Sequence, residues 1–274
     1  MEIPKKKRIN MPIHKTAIID NSSHIDSLSD IGPNVIIEEN VTINAHVKIM
    51  ANAYIGKGTT IGEGTVIHIG AVIGHDPQDF SYKGENTYTI IGKNNIIREY
   101  VTIHRGTGVD SKTIIGDNNF IMVQAHLGHN CHIENNVIIA NSALLAGYVK
   151  VESGVFISGN VVFHQFCRIG RNAMIGGFTG VNKDVPPFML VRGPSAVRGL
   201  NLVGLRRMKM PIEIIRELKE AHRLLFRTDM RQEDAISEIK SKLFSDEIKH
   251  LVKFIEESKR GICKYKYQKD EFFE

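Results

Sequence analysis

The chain of 274 residues contains no tryptophan and only three cysteines, Cys131, Cys167 and Cys263. They are widely separated and form no CxxC pair, which excludes a disulfide framework and a cysteine-rich zinc site as the basis of the fold. The thiols are expected to be reduced. Apolar runs are also short. None approaches the roughly 20 residues that a helix needs to span a bilayer, so stable membrane insertion is not expected. The opening MEIPKKKRIN lacks the apolar stretch that follows the basic residues of a signal peptide, and the expected location is cytoplasmic. The cluster Lys5-Lys6-Lys7-Arg8 reads as a solvated basic tail over residues 1–12 rather than a nucleic-acid or import signal. A net charge of +5 favours an anionic partner, which charge alone leaves open between nucleic acid, a phosphorylated metabolite and an acidic protein.

What the sequence does have is a repeat. Every sixth position from Ile13 to Val181 is apolar except Asp79 and Glu85, and the first eleven of these positions are all isoleucine. Two residues earlier a small or short-branched residue is frequent, as at Ala17, Val35, Ala53, Ala71, Ala125, Val137 and Ala173. Neither a helix of period 3.6 nor a free strand of period 2 produces a strict six. A solenoid does: each short strand contributes two inward side chains, and a turn bends the chain toward the next face. Three such faces make a coil of 18 residues, the hexapeptide parallel β-helix, whose known class winds left-handed. In this register Cys131 and Cys167 fall on the small inward position, so packing is their expected role.

The hexad pattern lapses over residues 74–90 (GHDPQDFSYKGENTYTI) and 106–113 (GTGVDSKT), which are expected to protrude as loops. It ends at Asp184-Val185-Pro186-Pro187. Beyond a basic connection, Pro211 suits a first helical turn. Ile214, Ile215, Leu218, Ala221, Leu224 and Leu225 then form a stripe at helical spacing, followed by Ala235, Ile236, Ile239 and Leu243, and by Ile248, Leu251, Val252 and Ile255. The expected architecture is mainly β: a left-handed β-helix over residues 13–193 and a small α-helical domain over 194–274.

The segment Gln124–Cys131, QAHLGHNC, raises the question of chemistry. Residues 18 apart in such a coil stack at about 4.8 Å, the spacing of neighbouring strands. His129 therefore lies beneath Gly147, with Gln165 one coil further and Tyr148 and His164 to either side; His126 sits three residues earlier on the same wall. Two imidazoles without a carboxylate triad are thin support for a metal, although His164 offers a third ligand. Cys131 points inward and is no nucleophile for His129. A neutral histidine can instead take a proton from a substrate hydroxyl while the backbone N–H of Gly147 receives the oxyanion of acyl transfer, its missing side chain allowing close approach.

The stretches GHDPQDFSYKG (74–84), IREYVTIHRG (97–106), QAHLGHNC (124–131), LAGYV (145–149), FHQFC (163–167), DVPP (184–187) and GLNLVGLRR (199–207) resemble, in order and spacing, the UDP-N-acetylglucosamine O-acyltransferases that begin lipid A synthesis. The resemblance covers nearly the whole chain. It implies a homotrimer with active sites between neighbouring prisms, acyl carrier protein as the donor of a 3-hydroxyacyl chain, and no cofactor or metal. It places His129 as general base and the Gly147 amide as oxyanion donor. Asp79 and His126 match sugar-contacting positions, His164 and Gln165 the sugar and pantetheine cleft, and Asn201 and Arg207 nucleotide-binding positions. Gly177 lies where that family sets the depth of its acyl groove, with Met174 nearby, and glycine there implies a long hydroxyacyl chain.

Several positions depart from the usual pattern. Ser81 stands for a lysine, Tyr148 for a histidine, Val203 for a glutamate and Met208 for an arginine. Each touches substrate recognition, so a UDP-3-amino sugar acceptor giving an amide is an alternative within the same chemistry. A non-catalytic trimeric sugar-nucleotide-binding scaffold and a metal-binding hexapeptide protein are the other readings. The basic group Arg192, Arg198, Arg206, Arg207 and Lys209 favours a nucleotide phosphate or an acidic carrier protein over nucleic acid.

Overall fold

The structure, a computed structural model, describes residues 13–265; the basic tail expected over residues 1–12 lies outside them. The hexads wind into a left-handed three-sided prism of parallel strands, most of them two residues long. The first sheet has nine strands, from Ile18–Ile19 to Gly180–Val181, and the second has eight, from His24–Ile25 to Arg168–Ile169. The third begins at Asp30–Ile31, passes through Met174–Ile175, and is extended by Met189–Val191, Ala196–Leu200 and Lys264–Tyr265. In regular coils the register is 18 residues: Ile19 lies beside Ile37, Leu127 beside Leu145, and Val151 beside Ile169.

The prism interior is a ladder of the hexad residues. Ile37, Ile43, Ile55, Ile97 and Leu127 are at most 1% exposed, with Val35, Ala53, Ala71 and Ala125 filling the narrower inward position and Cys131 and Cys167 doing the same. At about 1.5–3 kcal/mol for each fully buried aliphatic side chain, this ladder dominates the stability of the prism. The third residue of most corners takes a left-handed backbone conformation, and asparagine holds nine of these positions, being the side chain that best tolerates it. Tyr148 (φ 61°) and Phe166 (φ 65°) hold two that stack one coil apart, where a bulky residue is strained.

Two corners are longer than the rest. Ile73 pairs with Ile103 and Ile103 with Leu127, separations of 30 and 24 residues instead of 18. The extra twelve and six residues form the loops at 76–87 and 106–111, both at the corner between the first and second sheets. Because both insertions are multiples of six, the hexad count runs on through them without meaning. Val109, an apolar member of that count, lies in the second loop and is 76% exposed, so it does not belong to the core.

After the prism, the basic connection proves to contain structure that the helical periodicity did not predict. Met189–Val191 and Ala196–Leu200 form an antiparallel pair, and Asn201 caps a short helix α1 (Leu202–Arg207). The three expected stripes then form α2 (Ile212–Phe226), α3 (Gln232–Lys242) and α4 (Asp246–Glu256), each burying its apolar face. No helix among the described residues is long and apolar enough to cross a membrane. Helix α4 and the segment after it lie against the second sheet. His250 Nε2 is 2.7 Å from Glu152 Oε2, Arg168 stacks over Phe254 at 4.3 Å, and Ser258 Oγ donates to Asp184 Oδ2 at 2.7 Å.

Candidate active site

The corner between the first and second sheets carries 128–130 (Gly-His-Asn) on one coil, 146–148 (Ala-Gly-Tyr) on the next and 164–166 (His-Gln-Phe) on the one after. The 18-residue register brings His129 against Gly147 so closely that a side-chain carbon on the glycine would lie 2.4 Å from His129 Nε2. At some other corners the outward amide is capped by a carboxylate or amide side chain, as Ser153 N is by Glu134 and Arg171 N by Glu152. Among the described residues the Gly147 amide has no hydrogen-bond partner. A free N–H beside an imidazole is the arrangement an oxyanion requires.

The imidazole itself is fixed in one tautomer. Thr107 N–H donates to Asn130 Oδ1 at 2.9 Å, which makes that atom the acceptor end of the amide. His129 Nδ1, also 2.9 Å from Asn130 Oδ1, must therefore carry the proton and donate, leaving the lone pair on Nε2. His129 is 6% exposed, and the Tyr148 ring meets it edge-on at 5.3 Å. Tyr148 in turn stacks on Phe166 at 4.7 Å and 13°. The two strained aromatic corners thus form one wall of the site. Behind that wall a cavity of about 880 Å³ separates the second sheet from the end of α4, lined in part by Lys150, Arg168 and Arg260.

The long loop closes the other side. Asp79 Oδ2 lies 3.6 Å from His129 Nε2, too far for a direct hydrogen bond and wide enough for a substrate hydroxyl to share the two groups. The Ser81 amide donates to Asp79 Oδ1 at 2.9 Å and holds its carboxyl below the usual carboxylate range, with His129 adding to the effect, so Asp79 is charged at neutral pH. Burial, and secondarily His104, push His126 down to about 4; it is neutral at pH 7, with Nδ1 2.8 Å from Thr102 Oγ1.

Of the residues singled out from sequence, the structure gathers Asp79, His129, Gly147 and Tyr148 in direct proximity, with His126 on the adjoining first-sheet face. His164 and Gln165 are exposed on the next coil, His164 Nδ1 lying 3.2 Å from Arg260. The remaining four lie elsewhere. Met174 faces out from the third sheet and Gly177 lies at the corner between the third and first sheets; Asn201 and Arg207 belong to α1 at the end of the third sheet. Asn201 has both polar atoms engaged, accepting from Gly204 N and donating to Asn172 O, each at 3.0 Å, which leaves one N–H and one lone pair for a ligand. No group of three His, Cys, Asp or Glu among the described residues is placed to hold a metal ion.

Sequence reasoning passed over Asn130, Thr107, Arg105 and His104. Asn130 adjoins His129 and could have been found as its tautomer partner. The other three follow an inserted loop that shifts the 18-residue count, so stacking arithmetic does not reach them. His104 belongs to a row of rings, Tyr54, His75, His104 and His126, with successive centroids 5.5, 6.4 and 5.2 Å apart.

Comparison with known proteins shows what the chain as a whole is similar to. Residues 184–263 match the family model described as UDP N-acetylglucosamine O-acyltransferase, domain 2, and residues 112–147 match the bacterial transferase hexapeptide model. The chain is 50% identical over 255 residues to the acyl-[acyl-carrier-protein]–UDP-N-acetylglucosamine O-acyltransferase of Thermodesulfovibrio yellowstonii, covering 92% of this chain and 99% of that one. Its counterpart in Anaeromyxobacter dehalogenans is 44% identical, covering 93% and 100%. Among solved structures, a UDP-N-acetylglucosamine acyltransferase from Bacteroides fragilis superposes with a TM-score of 0.89 at 41% identity, covering 91% and 99%. The O-acyltransferase of Moraxella catarrhalis does so with 0.87 at 38% identity, covering 93% and 100%.

Proposed function

We propose, since the chain belongs to the UDP-N-acetylglucosamine O-acyltransferase family, that His129 is the general base and the Gly147 amide the oxyanion donor of its acyl transfer. The protein is an acyltransferase that moves an acyl chain from acyl carrier protein to UDP-N-acetylglucosamine, the first step of lipid A biosynthesis. In this reading the chain is a 3-hydroxyacyl group and the acceptor is the sugar 3-hydroxyl. His129 Nε2 takes the hydroxyl proton as the oxygen attacks the thioester carbonyl. The carbonyl oxygen, now an anion, accepts from the Gly147 N–H. Collapse breaks the C–S bond, and the departing thiolate recovers the proton from His129, giving ester and free thiol. The thioester supplies all the activation, so the balance needs no cofactor or metal.

The observation that carries this reading is the single juxtaposition of a lone-pair-bearing Nε2 and a partnerless amide one coil apart. Asp79 and His126 are assigned to the sugar, Tyr148, His164 and Gln165 to the cleft above it, and Asn201 and Arg207 to the nucleotide.

A homotrimer is part of the proposal. Met174, on the third sheet, and Gly177, at the corner between the third and first sheets, are assigned to the acyl groove and do not share the corner of His129, which favours a groove completed by a neighbouring copy. The outward residues support such packing. Ile18, Ile36, Leu144 and Val162 on the first sheet, Ile96 on the third and Phe178 at the corner between them are all at least 40% exposed. The cytoplasm, where carrier-protein thioesters are the expected donors, completes the reading.

Substituting His129→Ala tests it. Acyl transfer from a 3-hydroxyacyl carrier-protein thioester should fall by about 10²–10⁴-fold while the oligomer and its melting temperature persist. An unchanged rate would remove the assigned base. Activity that disappears with a chelator and returns with a divalent metal would favour the metal-site reading instead.

A further inference from the structure

Arg105 is buried to 1% exposure at the root of the long loop, outside the residues that line the reacting centre. A guanidinium buried this far has given up its hydration and is held there by neighbouring acceptors. The local backbone shows how. The strand Val72–His75 is bulged against Thr102–His104 between Ile73 and His75, and Gly74 adopts φ 74° there. The bulge turns the Gly74 carbonyl out of the sheet ladder, and Arg105 Nε donates to it at 2.8 Å, with Asp76 Oδ1 3.6 Å away. The Arg105 amide donates to His75 O at 3.1 Å, and His104 Nδ1–H donates to Asp76 O.

Three consecutive carbonyls at the loop root are therefore held by two residues of one strand end. The same strand end continues to Thr107, whose amide bonds Asn130 and so orients His129. At its far side the loop is tied again, Glu85 Oε1 accepting from Gly108 N and Asn86 O from Asp110 N, each at 2.8 Å. Gly56 completes the seat: a side-chain carbon there would lie 2.3 Å from Gly74 O and 3.0 Å from Arg105 Nη2.

We infer that Arg105 is a positioning residue for acyl transfer, its guanidinium fixing the root of loop 76–87 so that Asp79 is held beside His129. The inference rests on the assignment of His129 and Asp79 above. Lysine keeps the charge but has no N–H at the Nε position that meets Gly74 O, with Asp76 Oδ1 3.6 Å from the same atom.

The test is a double-mutant cycle on the full chain with UDP-N-acetylglucosamine and an acyl carrier-protein thioester. R105K should lower kcat/KM for the sugar nucleotide by about 10–100-fold, chiefly through KM, as expected for loss of placement rather than of chemistry. In the D79A background the same substitution should cost nothing further, because its route is already removed. A merely structural role would give multiplicative losses, and that result overturns the inference. G56A, which crowds the loop root from the other side, should show the same KM signature and the same loss of additivity. Hydrogen exchange on the unaltered protein needs no variant: the Ser81 and Gly108 amides should exchange nearly as slowly as those of strand Val72–His75, and exchange at open-loop rates overturns the inference. Wild-type activity in H129A would instead refute the underlying assignment, whatever R105K does.

Discussion

Replacing Gly147 with alanine adds one methyl group at the point where the reaction is assigned. The new carbon would sit 2.4 Å from His129 Nε2 and 2.6 Å from Cε1, whereas ordinary carbon contacts begin near 3.4 Å. The imidazole must retreat by about 1 Å, and a displacement of that size costs about 10²-fold in rate, or about 2.7 kcal/mol of barrier. Further loss follows if the methyl blocks the carbonyl from the Gly147 N–H, since one oxyanion donor is worth about 10²–10³-fold. The fold should barely notice. Gly147 does not use a left-handed φ, so alanine fits its backbone, and its smaller unfolded-state entropy returns about 0.4–1 kcal/mol against the crowding. Thiol release from a 3-hydroxyacyl carrier-protein thioester, followed with UDP-N-acetylglucosamine at saturation, reads kcat directly, and a thermal melt reads the fold. The expected outcome is kcat reduced at least about 100-fold with a melting temperature within about 3 °C of the parent. A G147A protein that melts normally and turns over within about threefold of the parent would refute the reasoning.

Asn130→Ala should lower kcat by about tenfold, the equivalent of one charge-assisted hydrogen bond to the histidine, and destabilise by about 1 kcal/mol because alanine is strained at φ 58°; Asn130→Gly should keep the kinetic defect and lose the strain, which steady-state rates and melts together can check. Stability should depend on acid. Burial pushes His126 and His222 down to about 4, so between that value and the unfolded imidazole value of about 6.5 the unfolded chain binds more protons. The contribution is complete above pH 6.5 and is lost as pH falls toward 4, and H222Q should flatten part of the slope in melts taken from pH 7 to 4.5. Burial also pushes the Cys131 and Cys263 thiols up to about 12 and Cys167 to about 11; none should react with an aromatic disulfide reagent at pH 8 until denaturant is added, and fast labelling of Cys131 in the native protein would contradict its inward position.

The period of six was sufficient for the prism because it is enforced locally. Each strand has one wide and one narrow inward place, and a residue that fails to fit either leaves a void or a clash in the stacked interior. Ile37, Ala53 and Cys131 could therefore be placed from sequence, and with them the alignment of His129 under Gly147, which depends on nothing but a count of 18. The count passes through Val109 as well, since an insertion of six residues preserves the period while leaving the core; only the turn-forming composition of 106–113 marked that stretch as a loop. It also could not reveal the strand pair at 189–200 or helix α1, whose few residues carry no period.

What required three dimensions was everything set by contact between distant segments. Thr107 decides which end of the Asn130 amide faces His129, and thereby which nitrogen holds the lone pair. The corner at Tyr148 and Phe166 shows itself as strained only when the left-handed turns are seen. The inserted loop returns Asp79 to within 3.6 Å of His129, and Arg105 anchors that return from a place no spacing rule reaches. Sequence determined the coil because side-chain size repeats along the chain. Tertiary structure decided the chemistry because a tautomer, a free amide and a carboxylate's approach are properties of neighbours brought together by folding.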